Sequence, residues 1–208
     1  MISRVKICGI TRLEDAQVAI AAGASALGFV FYVPSVRYIE PIKAARIVAA
    51  LPPFITVTAL FVNETSESVN NIIDIVQPDL LQFHGDENAD YCEQFDRPYI
   101  KALRVKSELD LSNAVSGYTS ARAILLDTYV KGVPGGTGEA FNWGLIPDDI
   151  APKIILAGGL NVSNVATAVE QVRPFAVDVS GGVEASAGVK SADKINAFMA
   201  QVNKANAL

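Results

Sequence analysis

A single histidine, His84, and two cysteines, Cys8 and Cys92, stand in a chain of 208 residues, and that short supply limits the available chemistry. A Ser-His-Asp triad could run only through His84, and a multi-histidine metal centre is excluded. Acids and bases must come from elsewhere. Cys8 closes the run Val5 to Cys8, directly before Gly9. If that run is a strand, Lys6 and Cys8 share a face, and an ammonium one residue pair below the sulfur would lower the thiol pKa. An unperturbed thiol near pKa 8.5 is only about 3% thiolate at neutral pH, so a base role needs such help. On position alone Cys8 reads equally as a small buried hydrophobe. Cys92, in ADYCEQF, has no comparable setting and reads as structural. Asp127 ends ILLDT, and burial at the tip of an apolar strand would favour its neutral, proton-bearing form. That suits a general acid; the other reading is a cap or a loop acceptor. Asp178 lies one place before its strand end and would face the sheet wall or pair with a lysine.

Two glycine clusters say what is held. AGGL, with Gly158 and Gly159, and SGGVE, with Ser180, Gly181 and Gly182, each follow an apolar run. Glycines there let backbone N–H groups approach an anion, and a helix starting after Leu160 would add its partial positive charge. Tight turns are the plainer alternative. PGGTGEA lacks the Lys-Ser/Thr pair of a nucleotide-binding P-loop, which disfavours ATP. Arg37, in FYVPSVRYI, offers a fork suited to two-point contact with a carboxylate. His84, in LQFHGDE, would line the same rim as a hydrogen-bond donor.

Eight short apolar or β-branched runs must position these residues: Val5 to Cys8, Ala26 to Phe31, Ile55 to Val62, Leu80 to Phe83, Tyr99 to Leu103, Ala123 to Asp127, Ile154 to Ala157 and Ala176 to Val179. Segments of helical spacing lie between them, among them Leu13 to Ala22, Ile42 to Leu51, Ser66 to Val76 and Val162 to Val172. Strand then helix throughout predicts a parallel sheet covered on its outer face. Sharing 208 residues among eight units gives 26 each, enough for a single-domain (β/α)8 TIM barrel over residues 1–208. A doubly wound open sheet is the alternative. In a barrel, loops after strands seven and eight are the recurrent phosphate site, and both glycine clusters fall there. Thr11 with Glu14 reads as a capping box for the first helix, and Thr65 and Asn161 sit where later helices need acceptors. The Gly-rich stretch from Tyr129 to Phe141 reads as a functional loop on the C-terminal face.

Composition narrows the partners. With 17 Lys+Arg against 22 Asp+Glu, a net charge of -5 and no basic run, no nucleic acid is expected. No apolar run approaches the roughly 20 residues of a membrane span. No signal peptide or disulfide framework is evident, so a cytoplasmic setting is expected.

KICGIT, FYVPSVRYI, LLQFHGDE, LLDT followed by GGTGEAFNW, AGGL and DVSGGVE together resemble the phosphoribosylanthranilate isomerase family, from the first strand to the last helix. The resemblance implies an Amadori rearrangement of N-(5-phosphoribosyl)anthranilate in tryptophan biosynthesis. It implies Asp127 as the acid that opens the furanose and Cys8 as the base at the sugar C2. Arg37 would hold the anthranilate carboxylate, and the glycine clusters the phosphate. It implies no cofactor and no metal and a phosphosugar substrate; the helical shell of a barrel suits a monomer or a homodimer. The chain departs from the family at Gly181, usually serine, and at Val36, usually proline, which loses a hydroxyl and a fixed φ. Indole-glycerol-phosphate synthase is a related alternative, but it calls for catalytic lysine and glutamate and usually an added N-terminal helix. A phospholigand sensor without turnover is another, at odds with retention of both Cys8 and Asp127.

Overall fold

The computed structural model describes residues 3–105, 111–128 and 142–207. Eight strands run parallel and close on themselves in chain order: β1 (Arg4–Cys8), β2 (Ala26–Val30), β3 (Thr56–Phe61), β4 (Leu80–Phe83), β5 (Tyr99–Val105), β6 (Ala123–Thr128), β7 (Ile154–Leu156) and β8 (Ala176–Val179). β1 pairs with β8 with Lys6 opposite Asp178, so the first and last strands share a seam. A closed ring leaves no sheet edge, and both faces of every strand are covered. This is why the strands read as nearly unbroken apolar runs.

Period-two alternation sorts each strand. Outward residues such as Ile7, Leu27, Phe29, Phe61, Leu126 and Val177 pack in one shell under the helices. Inward residues form two smaller groups: Ile100, Ala102, Leu125, Ile155, Ala157 and Ala176 on one side, and Cys8, Val30 and Leu60 on the other. Polar side chains also face inward, among them Lys6, Thr58, Gln82 and Asp178, all buried.

The covering helices are α1 (Leu13–Ala21), α2 (Pro41–Val48), α3 (Ser66–Val76), α4 (Ala89–Glu93), α5 (Leu111–Ser116), α6 (Val165–Val172) and α7 (Ala192–Asn206). A short antiparallel pair, β9 (Glu184–Ser186) and β10 (Val189–Lys190), intervenes between β8 and α7. Among the described residues no helix is long and apolar enough to cross a membrane.

Three local expectations need correction. α1 is entered from Arg12, which gives no side-chain cap; Thr11 instead donates to the Gly188 carbonyl at 2.6 Å, so tertiary tethering wins over a capping box. Thr65 does cap α3, accepting from the Ser68 N–H. α6 begins at Val165 rather than beside Leu160, because Asn161 folds residues 161–164 into a turn: its side chain accepts from the Ser163 N–H and its carbonyl from Asn164 and Val165. Among the described residues, no α-helix follows β6 before β7. The described part of that crossover holds only 3₁₀ turns at Trp143–Leu145 and Ala151–Lys153, while most of the expected functional loop, residues 129–141, lies outside the described residues.

Phe83 is fully buried, and its ring lies 5.6 to 6.1 Å from those of Phe61, Tyr91, Phe95 and Tyr99. Truncating it removes the hub of this cluster. Phe83→Ala is expected to cost about 3–5 kcal/mol in urea-unfolding free energy. A loss below about 1 kcal/mol would mean that the surrounding rings close over the cavity.

Candidate active site

The C-terminal ends of the strands surround a cavity of about 690 Å³ whose lining includes Cys8, Arg37, His84, Asp127, Gly158 and Gly182. Gly159, Ser180 and Gly181 line it as well, so every residue expected at the site faces one space. Closure of the barrel does this. Cys8 at the tip of β1 and Asp127 near the tip of β6 are far apart in sequence but open toward the same axis.

Asp127 is 5% exposed, and one carboxylate oxygen lies 3.0 Å from His84 Nε2. The other ring nitrogen, Nδ1, lies 2.9 Å from Gln82 Nε2. His84 thus lines the cavity and bridges Gln82 and Asp127, one ring nitrogen to each. Gln82 was not anticipated. The alternation Leu80, Gln82, His84 places two polar groups on the inner face of β4, and that is the signal it offered.

Cys8 is buried against Lys6 and Asp178. Burial pushes the thiol up, Lys6 pulls it down and Asp178 adds to the rise; the net direction is upward from the ordinary value. The expected lowering by Lys6 is therefore present but outweighed by desolvation. Asp178 takes one of its two anticipated roles and accepts from Lys6 Nζ at 2.9 Å. Cys92 packs in the outer shell with its thiol pushed up to about 12 by burial, in keeping with a structural residue.

Arg37 makes the expected two-point contact, but with Glu184: Nε donates to one carboxylate oxygen at 2.7 Å and Nη2 to the other at 2.9 Å. Three of its five N–H groups remain for another acceptor. Lys190 Nζ, fully buried, donates to the same Glu184 at 2.9 Å and to the Ser180 carbonyl at 3.2 Å. Burial raises the Glu184 carboxyl, yet the hydrogen bonds from Arg37 and the charge of Lys190 outweigh it, so the net direction is below 4.5. Glu184 was visible as the end of SGGVE; Lys190 lies on the β9–β10 pair and carried no signal.

The glycine clusters meet as well. A Cβ on Gly182 would sit 2.0 Å from the Leu160 carbonyl oxygen, so only glycine lets the loops after β7 and β8 touch. Gly158 and Gly159 have φ of 82° and 65°, in the left-handed region. At the departure Gly181, a Cβ would lie 3.1 Å from Arg37 Nη2, so the missing side chain leaves room for the guanidinium. Around Val36 the loop carries turn bonds: Ser35 and Tyr38 donate to the Tyr32 and Ser35 carbonyls, and Ile39 to that of Val30. Among the described residues no group of three His, Cys, Asp or Glu could hold a metal.

A family model described as N-(5'-phosphoribosyl)anthranilate (PRA) isomerase matches residues 5–201. The chain is 58% identical over 203 residues to a curated N-(5'-phosphoribosyl)anthranilate isomerase of Pseudomonas fluorescens, covering 98% of this chain and 97% of the other. The crystal structure of phosphoribosyl anthranilate isomerase from Thermotoga maritima matches with a TM-score of 0.89 at 42% identity, over 98% of this chain and 100% of that one. A structure of the isomerase in complex with reduced 1-(o-carboxyphenylamino)-1-deoxyribulose 5-phosphate matches with a TM-score of 0.86 at 42% identity and the same coverage.

Because the Glu184 carboxyl is held below its unfolded value, its ionised form stabilises the fold above that value, and the contribution fades as pH falls through the folded one. The melting-temperature gap between wild type and Glu184→Gln is expected to be largest near neutral pH and to close on acidification below 4.5. A gap independent of pH would show that shape, not charge, holds Arg37.

Proposed function

The chain belongs to the N-(5'-phosphoribosyl)anthranilate isomerase family, and from that premise we propose how its residues divide the work. The reaction rearranges N-(5-phosphoribosyl)anthranilate to 1-(2-carboxyphenylamino)-1-deoxyribulose 5-phosphate in tryptophan biosynthesis. Asp127 gives its proton to the furanose ring oxygen as the anthranilate nitrogen lone pair expels that oxygen from C1. The ring opens to a protonated Schiff base. Cys8 then takes the proton from C2, and the C–H electrons form the C1–C2 double bond while the iminium nitrogen is neutralised. The resulting enolamine tautomerises to the ketone, with a proton added at C1 and one lost from the C2 hydroxyl. Carbon is reduced at C1 and oxidised at C2 within one molecule, so one acid and one base suffice.

The observation that carries this reading is the common cavity: Cys8 and Asp127 line it together with the glycines of the loops after β7 and β8. Backbone N–H groups of Gly158, Gly159, Gly181 and Gly182 would hold the phosphate, with Ser180 beside them. The free edge of Arg37 would take the anthranilate carboxylate, Glu184 keeping the fork oriented. His84 steadies Asp127. Fixing the substrate by both ends places the ribose between acid and base and supplies the part of the rate that proton transfer does not. A cytoplasmic setting belongs to the same proposal, because a charged phosphosugar does not cross a bilayer unaided.

Cys8→Ala and Asp127→Asn are each expected to lower kcat at least about 100-fold with the far-ultraviolet circular dichroism unchanged. Loss of phosphoribosylanthranilate fluorescence measures turnover, and a near-wild-type rate in either variant would overturn the acid–base assignment. Arg37→Ala is expected to act mainly on KM. An unchanged KM with normal kcat would remove Arg37 from the site.

A further inference from the structure

The base assigned above has a difficulty: Cys8 is 5% exposed, and its own burial opposes the thiolate that proton abstraction requires. The barrel supplies a remedy two residues away. Lys6 lies on the same inner face of β1 and is 4% exposed. Across the β1–β2 ladder Gly28 stands opposite Cys8, and a Cβ built there would sit 2.7 Å from Cys8 Sγ and 3.0 Å from Lys6 Nζ. Sulfur and ammonium flank one point in space, no farther apart than those distances laid end to end. Any side chain at 28 would enter the space they share.

Lys6 is also held from the far side. Its Nζ donates to Asp178 Oδ1 across the β1–β8 seam at 2.9 Å, which leaves N–H groups for a second acceptor. Burial lowers the Lys6 ammonium, but the charges of Asp178 and then Cys8 more than offset this, and Lys6 stays above its ordinary 10.5. Its pairing with the Asp178 carboxylate is that of an ammonium. The other charged groups bearing on Cys8 are Lys190 from β10 and Arg37 from the loop after β2, both engaged with Glu184. Asp127 lines the same cavity from β6.

From this arrangement we propose that Lys6 is a positioning residue for the isomerisation: its ammonium is the counter-ion of the Cys8 thiolate, and Asp178 holds it beneath the sulfur while the thiol is protonated. Lys6 neither gives nor takes the substrate proton. When the thiol ionises, the ammonium's field is divided between carboxylate and sulfur; when the sulfur takes the C2 proton, Lys6 returns wholly to Asp178. The two members of the pair therefore act on Cys8 with opposite signs, whereas a loss of packing at the seam has no reason to reverse sign between variants of the two residues.

The inference rests on the assignment of Cys8 as base but can be read without turnover. In a Cys92→Ala background, the rate of Cys8 alkylation by iodoacetamide is followed against pH, with no substrate present. Because the thiolate is the reacting form, Lys6→Met is expected to move the midpoint up by about one unit or more and slow labelling near neutral pH about tenfold. Asp178→Asn is expected to move it down and speed labelling. Lys6→Arg, which keeps the charge, should recover part of the loss. If Lys6→Met fails to fold with Asp178 left uncompensated, the double variant Lys6→Met/Asp178→Leu removes both charges, and its midpoint should still lie above wild type. A midpoint unchanged in a folded variant lacking Lys6, or shifts of the same sign in the two single variants, would overturn the proposal. Its failure is distinguishable from failure of the base assignment, which would show as retained turnover in Cys8→Ala whatever the alkylation profile.

Discussion

A side chain on the inner face of a closed barrel is cut off from water, so any charge placed there must find its opposite inside. This constraint governs the site more than any single contact. Lys6 answers Asp178 at the seam, and Arg37 and Lys190 share Glu184. Moving a lone ion into such a space costs several kcal/mol even after relaxation, so each partner is needed to keep the other. An apolar replacement of a whole pair is often harmless to stability. The same constraint holds outside the cavity, where buried Lys101 is paired with Glu87 at 2.7 Å.

Much of the architecture was legible because a covered parallel strand has a plain signature. Leu80 to Phe83, Ser66 to Val76 and Ala176 to Val179 match their observed elements residue for residue. Element ends were harder, since they turn on partners distant in sequence. Thr11 has the type and spacing of a cap, yet Gly188, brought near only when the barrel closes, offers its hydroxyl a better acceptor. Asn161 stands at the right place but folds a turn before the helix it was expected to start.

The candidate site divides along the same line. Cys8, Asp127 and the paired glycines were visible because chemistry in a barrel gathers at strand ends, a position that can be counted along the chain. Arg37 was visible as a fork but not as a fork already gripped by Glu184. Gln82 and Lys190 act only through what they touch, and their partners, His84 and Glu184, are named by the fold. The net direction of the Cys8 thiol was hidden for a related reason. The sequence places Lys6 beside it, but the size of the desolvation that opposes Lys6 depends on how completely the barrel closes.

A thiol that burial keeps protonated is a poor base, but the constraint that creates the problem also limits it. A cavity dry enough to raise the thiol is dry enough to make a neighbouring ammonium act strongly on it, since both effects grow as the local dielectric falls. The Lys6–Cys8 attraction is felt only once the sulfur is charged, so it favours the state that reacts and leaves the resting thiol unaffected. Asp178 must then do two things that conflict: keep Lys6 charged and in place, yet not hold it so tightly that none of its field reaches the sulfur. One hydrogen bond of 2.9 Å across the seam meets both needs, because an ammonium with three donors can be anchored by one and still present others. A side chain at position 28 would enter the space between that ammonium and the sulfur. The space in which ammonium and sulfur meet therefore depends on a small residue of β2.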